Sequence, residues 1–146
     1  MDRTPTILYV EDDPMLRDLI AEVLSGNDFV CIPAANGVDA VRLIDAGLHN
    51  LDILLSDVRM PGTVSGFDVA DRFQASHPRG EVVLITGHLA PEDAAMAYKA
   101  RRQVHTKPVR IADLLKILRD AAKRVADDAP GKAKVVRLNP GKPGGR

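Results

Sequence analysis

LDILLSDVRMPGTVSG, residues 51–66, joins a short apolar run to a turn-rich loop. Ile53-Leu54-Leu55 lead into Ser56-Asp57, and Met60-Pro61-Gly62 through Gly66 supply turn chemistry. An apolar run this short, bounded by turn residues, predicts a strand buried on both faces. Asp57 then stands where that strand stops. In open parallel α/β sheets ligands bind beyond the carboxyl ends of the strands. Asp57 is therefore either a turn or capping aspartate or a reactive group, and the other strand ends decide between the two.

Working outward, strand and helix patterns alternate. Thr6 to Val10 is rich in strand formers. Pro14 opens a helix over about 14–25, with Met15, Leu16, Leu19, Ile20, Val23 and Leu24 on one stripe. Phe29 to Ile32 reads as a second strand, and Asn36-Gly37 open a helix ending near Gly47. After the Asp57 strand, a helix follows Gly66 and stops before Pro78. Glu81 to Thr86 is the fourth strand, Pro91 starts an alanine-rich helix, and Gln103 to Thr106 is a weak fifth strand. A last helix over about 110–126 places Ile111, Leu114, Leu115, Leu118, Ala122 and Val125 on one face, with Ile117 off that stripe. Five strands alternating with five helices predict an α/β fold: a doubly wound, five-stranded parallel sheet.

The chain has 146 residues, 45% hydrophobic and 27% charged, which suits one domain with a real core. Aromatics are only 3% and Trp is absent, so aliphatic side chains must build that core. One cysteine forms no intrachain disulfide, and Cys31 sits in an apolar run as a buried small hydrophobe. No signal peptide or membrane-spanning run is evident, so the expected location is cytoplasmic. The zero net charge hides an asymmetry. Residues 1–128 carry all 20 acids against 15 Lys and Arg, a net of −5, and 129–146 carry five cations, a net of +5. That tail is rich in Pro and Gly and is expected to be disordered.

The first strand ends in Glu11-Asp12-Asp13, the third in Asp57, the fourth in Thr86 and the fifth in Lys107-Pro108. A parallel sheet brings these ends to one edge. Carboxylates gathered there repel one another unless a cation relieves them. An all-oxygen set without His or Cys favours Mg²⁺ or Mn²⁺. A lysine and a threonine hydroxyl complete a phosphoryl clamp. The edge has no glycine-rich nucleotide cradle, and the arrangement suits a phosphoryl group placed on Asp57 itself. Asp13 reads as a residue at a helix start, favoured by the dipole.

With these residues in place, the chain resembles the receiver domains of two-component response regulators, of the stand-alone, single-domain type. Val10-Glu11-Asp12-Asp13-Pro14, Asp57-Val58-Arg59-Met60-Pro61, Gly66, Ile85-Thr86-Gly87 and Lys107-Pro108 carry the resemblance, which covers roughly residues 5–126. It implies a flavodoxin-like (βα)5 fold with strand order 2-1-3-4-5. It implies that Asp57 accepts a phosphoryl group from a histidine kinase or histidine phosphotransfer protein. Asp12 and Asp57 would hold Mg²⁺ directly, Glu11 through water, with the main-chain carbonyl of Arg59 as a further ligand. Thr86 and Lys107 would contact phosphoryl oxygens, and the Lys107-Pro108 peptide would be cis. Such a chain is a signalling switch, an enzyme only toward its own Asp57. It would meet its downstream protein on the face of the fourth helix, fifth strand and fifth helix, as a monomer or weak dimer, with no dedicated DNA-binding domain.

Several positions depart from that pattern. The loop 61–66 is one residue longer than is common. Arg59 is a large cation where small or polar residues are frequent. Val104 stands where an aromatic residue is usual, Val109 where phenylalanine is usual, and 99–103 lacks an expected glycine. The four histidines, His49, His77, His88 and His105, read as surface or loop residues, with His88 near the site mouth. Arg101-Arg102 read as a solvated helix end. A haloacid-dehalogenase-like phosphatase is the alternative, but it requires an acid two places after the nucleophile, where Arg59 stands. A flavodoxin-like cofactor binder would require hydroxyls and glycines in place of Glu11-Asp12-Asp13. A DNA-binding regulator would require more than the 18-residue tail.

Overall fold

The structure, a computed structural model, describes residues 3–47 and 50–128. His49 and the basic tail at 129–146 lie outside the described residues. The chain runs β1 (Thr6–Val10), α1 (Pro14–Ser25), β2 (Val30–Ala34), α2 (Gly37–Asp45), β3 (Ile53–Asp57), α3 (Gly66–Ser76), β4 (Glu81–Thr86), α4 (Pro91–Lys99), β5 (Gln103–Thr106) and α5 (Ile111–Asp127). The strands form one parallel sheet in the order β2-β1-β3-β4-β5, as expected of a flavodoxin-like fold.

β3 lies at the centre, and all five of its residues are buried. Successive strand side chains point to opposite faces. Ile53 and Leu55, with Ile7, Tyr9 and Val83, meet Ile20 and Leu24 of α1 and Leu114, Leu118 and Ala121 of α5. Leu54, with Leu8, Val10, Val82 and Leu84, meets Ala40 and Ile44 of α2 and Val69, Ala70 and Phe73 of α3. Two apolar layers thus clamp the sheet, and the central strand is fixed from both sides. α4 packs along β5 and buries only Ala97.

The helix starts are set by local chemistry. The Asp13 side chain caps α1 by accepting from the backbone N–H of Met15 at 3.0 Å, with Pro14 at the first helical position. Asn36 accepts from Asp39 N–H at 2.8 Å to cap α2. Ser65 and Asp68 form a reciprocal capping box at α3. α4 has no side-chain cap.

The structure corrects several expectations. Met15 and Leu19 of the α1 stripe are exposed, at 82% and 49%. They lie at the margin of the stripe, turned from the sheet. Ile111, expected on the α5 core face, is exposed, whereas Ile117 packs partly against the α1–α5 layer. β2 runs later than expected, and Pro33 fits there because β2 is an edge strand. Cys31 is only half-buried, and burial still pushes its thiol up to about 11. Among the described residues no helix is long and apolar enough to cross a membrane.

Candidate functional site

The parallel register brings the carboxyl ends of β1, β3, β4 and β5 to one edge of the sheet. Glu11 follows β1, and its backbone N–H donates to Ala34 O at 3.1 Å, so the acidic turn stays in register with β2. Asp57 is the last residue of β3, and Thr86 the last of β4. Lys107 follows β5, where its N–H donates to Thr86 O at 2.8 Å. The Lys107-Pro108 peptide is cis, as the resemblance implies.

Carboxylate oxygens of Glu11, Asp12 and Asp57 all lie within 4.8 Å of one another. Glu11 and Asp57 are buried, and Asp12 is exposed. The Lys107 ammonium donates to Asp57 Oδ2 at 3.2 Å. Burial raises the affinity of Asp57 for a proton, opposed first by the charge and hydrogen bond of Lys107. Burial likewise pushes Glu11 up to about 7. The Asp13 N–H, 3.1 Å from Glu11 Oε2, opposes this, and the neighbouring Asp57 charge adds to it. This is a pocket of oxygen donors holding more negative charge than its surroundings can solvate. The donor set fits a hard divalent cation.

Gly66 is required by close approach. A Cβ there would overlap the Asp57 carbonyl oxygen, and the Gly66 N–H donates to Val58 O at 2.8 Å. The longer loop before it turns at Gly62, with φ of 101°, a conformation that favours glycine. The Thr86 hydroxyl is engaged locally: it donates to the His88 carbonyl at 2.9 Å. His88 itself is exposed.

The Arg59 guanidinium lies 3.6 Å from Asp93 of α4. Arg17 is a residue that sequence reasoning passed over. From the second turn of α1 it donates to the Glu11 carbonyl at 2.9 Å and steadies the acidic turn from below. Its only sequence signal is a spacing of four from the Asp13 cap. Arg102 is not a solvated helix end. Its side chain is 9% exposed and bonds Gln74 and Asp71 of α3. Arg101, beside it, adopts φ of 62°, the left-handed conformation for which a glycine would be expected. His105 is half-buried in β5, its Nε2 donates to Gln103 Oε1 at 2.9 Å, and burial pushes its pKa down, so it is no surface histidine. Val104 packs partly into the α2–α3 layer and Val109 into the α1–α5 layer.

Comparisons with known proteins agree with this geometry. Residues 7–119 match the family model of the response regulator receiver domain. A 14.6 kDa protein of Leptolyngbya boryana is 31% identical over 127 residues, covering 84% of this chain and 94% of that protein. A cyclic di-GMP phosphodiesterase of Thermotoga maritima is 36% identical over 83 residues, 57% of this chain. The chain corresponds to only 21% of the length of that relative. A CheY-like receiver domain protein from Methanospirillum hungatei superposes with a TM-score of 0.77 at 19% identity, covering 87% of this chain and 100% of that one. The family match spans every strand that feeds the acidic edge, and on that ground the chain belongs to the response regulator receiver domains, the phosphorylation-dependent signalling switches of two-component systems.

Proposed function

We propose that Asp57 accepts a phosphoryl group from the phosphohistidine of a histidine kinase or phosphotransfer protein, and that the chain passes on its state by protein contact. One observation carries this reading. Asp57 ends the central strand, is 6% exposed, and has Lys107 at 3.2 Å and two further carboxylates within reach. An Asp57 oxygen attacks phosphorus in line, the P–N bond breaks, and the imidazole leaves with its electron pair and takes a proton. Lys107 offsets the added negative charge. The Thr86 hydroxyl, once it leaves the His88 carbonyl, donates to a phosphoryl oxygen.

Asp12, Asp57 and the Arg59 carbonyl would hold Mg²⁺ directly and Glu11 through water, and Mn²⁺ fits the same oxygen set. When bound, the ion neutralises charge on the phosphoryl oxygens. The raised proton affinity of Glu11 and Asp57 supports this assignment, because both ask for a positive partner. The chain acts on its own Asp57 and on no separate substrate. Its downstream partner is assigned to the α4–β5–α5 face, where Met96 and Tyr98 are 68% and 52% exposed. Residues 1–128 form the receiver unit in this reading, within a cytoplasmic monomer or weak dimer.

Mass spectrometry after incubation with Mg²⁺ and a small phosphodonor tests the assignment. One base-labile phosphoryl group is expected on the wild type and none on Asp57→Asn. Equal incorporation into both overturns it. A chain ending at Asp128 is expected to incorporate the group at an unchanged rate.

A further inference from the structure

Arg17 of α1 is half-buried and belongs to a closed ring of hydrogen bonds around the acidic turn 11–13. Its guanidinium donates to the Glu11 carbonyl at 2.9 Å, and its backbone N–H donates to Asp13 O at 2.8 Å. The Asp13 N–H donates to Glu11 Oε2 at 3.1 Å, and the Asp13 carboxylate accepts from the Met15 N–H at 3.0 Å. Turn and helix start are held as one unit, and the Arg17 side chain closes the ring.

Asp12 sits inside that ring and depends on it. Its carboxylate is exposed, and among the described residues it has no hydrogen-bond or ion-pair partner. A side chain without partners is aimed only by its backbone. The peptide group entering Asp12 carries the Glu11 carbonyl, which Arg17 holds. The peptide group leaving Asp12 carries the Asp13 N–H, which the Glu11 carboxylate holds. Both planes flanking Asp12 are therefore fixed by a side chain, one of them by a residue that contributes no atom to the acidic cluster.

Charge and position act in opposite directions at Arg17. Burial pushes the Tyr9 hydroxyl up, the Glu11 and Asp57 charges add to this, and the Arg17 charge opposes it, so Arg17 is felt in the same small region. A cation there repels a second cation. Through charge alone, loss of Arg17 would tighten the binding of a divalent ion. Through position, its loss lets a part-buried carbonyl turn toward water and Asp12 follow, which loosens binding. Water screens the charge of a half-buried guanidinium. Groups that orient a metal ligand without touching the ion change affinity by about tenfold or more, so position prevails.

We propose that Arg17 is a positioning residue for the divalent-cation site, setting the Asp12 carboxylate through the Glu11 carbonyl and tying occupancy of the site to the first turns of α1. This rests on the assignment of Asp12 and Asp57 as ligands of Mg²⁺. The coupling is reciprocal. An ion held by Asp12 tightens the turn and protects the start of α1, as the intact helix start favours the ion.

Mn²⁺ binding to the full-length chain tests the proposal, followed through the paramagnetic resonance signal of the free ion, with Mg²⁺ read by competition. Arg17→Met, Arg17→Lys and Arg119→Met are compared with wild type while folded by circular dichroism. Arg119→Met removes the same charge beyond the far end of α1, where Arg119 donates to Asn27 at 3.2 Å. Arg17→Met is expected to weaken both ions about tenfold. Arg17→Lys keeps the charge and a donor and is expected to fall between Arg17→Met and wild type. Arg119→Met is expected to bind like wild type. Saturating Mg²⁺ is expected to slow amide hydrogen exchange in wild type more at 15–18 than at 22–25, and Arg17→Met to lose that difference. Should Arg17→Met fail to fold, Arg17→Lys and the wild-type exchange decide. Unchanged or tighter binding in Arg17→Met, wild-type affinity in Arg17→Lys, an equal loss in Arg119→Met, or equal slowing at both ends of α1 overturns the proposal. Wild type that binds Mn²⁺ no better than Asp57→Asn overturns the metal assignment and this proposal together. Normal binding by wild type with an unchanged Arg17→Met overturns this proposal alone.

Discussion

The Lys107 ammonium nitrogen stands 3.2 Å from each carboxylate oxygen of Asp57, although the two residues lie 50 positions apart on non-adjacent strands. Its position is fixed by the backbone bond from Lys107 to Thr86 rather than by deep burial, since the lysine side chain is 41% exposed. The contact opposes the effect of burial on Asp57.

Lys107→Met removes that opposition. Protonation of Asp57 is then expected to shift to higher pH, read from the carboxyl carbon by NMR. Uptake of a phosphoryl group from a small donor is expected to slow by roughly tenfold or more. An unchanged titration and rate would mean that Lys107 does not act on Asp57.

Glu11 makes the metal-free protein pH-dependent in a defined direction. Its proton affinity is raised from 4.5 to about 7 in the folded state, so the folded chain binds more protons than the unfolded chain between those values. Stability contributed by this group is full below about 4.5 and is lost as pH rises toward 7. Denaturant unfolding in chelator is expected to show that decline. Glu11→Gln should flatten it and stabilise the protein at pH 7 by roughly 1–3 kcal/mol. Added Mg²⁺ should recover stability in the wild type by binding the folded state. A stability that rises between pH 4.5 and 7 in metal-free wild type, yet flattens in Glu11→Gln, would reverse the sign.

Gly66→Ala drives a methyl group into the Asp57 carbonyl and the Val58 backbone. Neither is a flexible side-chain end, so the start of α3 must shift. A loss of roughly 2 kcal/mol or more is expected in urea unfolding, together with slower uptake of phosphoryl groups. Gly62→Ala is the control. It meets no atom, and its cost of about 1 kcal/mol comes from its positive φ alone.

Asp52, 5% exposed, accepts from Arg3 at 2.8 and 2.6 Å and from the Thr6 N–H at 2.8 Å. It pins the start of β1 to the start of β3, at the end of the sheet opposite the site. Asp52→Ala leaves the part-buried Thr6 N–H without its acceptor and is expected to cost about 1–2 kcal/mol. Because the acidic edge is remote, the rate of phosphoryl uptake by the folded variant should equal that of the wild type. A slowed rate at full folding would mean that the two ends of the sheet are coupled.

The fold was legible because periodicity, caps and turns agree. Pro14, Asn36 and Gly66 sit where the helices begin, and the β3 run is short and wholly apolar up to Ser56. The gathering of Glu11, Asp12, Asp57, Thr86 and Lys107 was legible because parallel strands share one carboxyl edge. What escaped depends on contacts across long sequence separations. Asp93 gives no local sign that it will meet Arg59. The Arg102 bonds to Gln74 and Asp71 reach back about 30 residues to α3. Met15 and Leu19 fit the apolar stripe of α1, and only tertiary packing reveals that they lie outside its buried part. Apolar residues on a surface are common, and periodicity alone does not exclude them.

The Arg102 network has a mechanical consequence for α4. Directly after that helix the chain is moored to α3, because the Gln74 amide also donates to Ala100 O at 3.0 Å. At the other end, the weak Arg59–Asp93 pair is the side-chain restraint described above. A rotation of α4 would therefore have its fulcrum near Ala100 and its free arm at Pro91. Nine residues give an arm of about 13 Å, so a rotation of about 10° would carry the first turn roughly 2 Å. Displacement grows with distance from the fulcrum, so a partner touching Pro91 to Asp93 would register far more movement than one touching Tyr98.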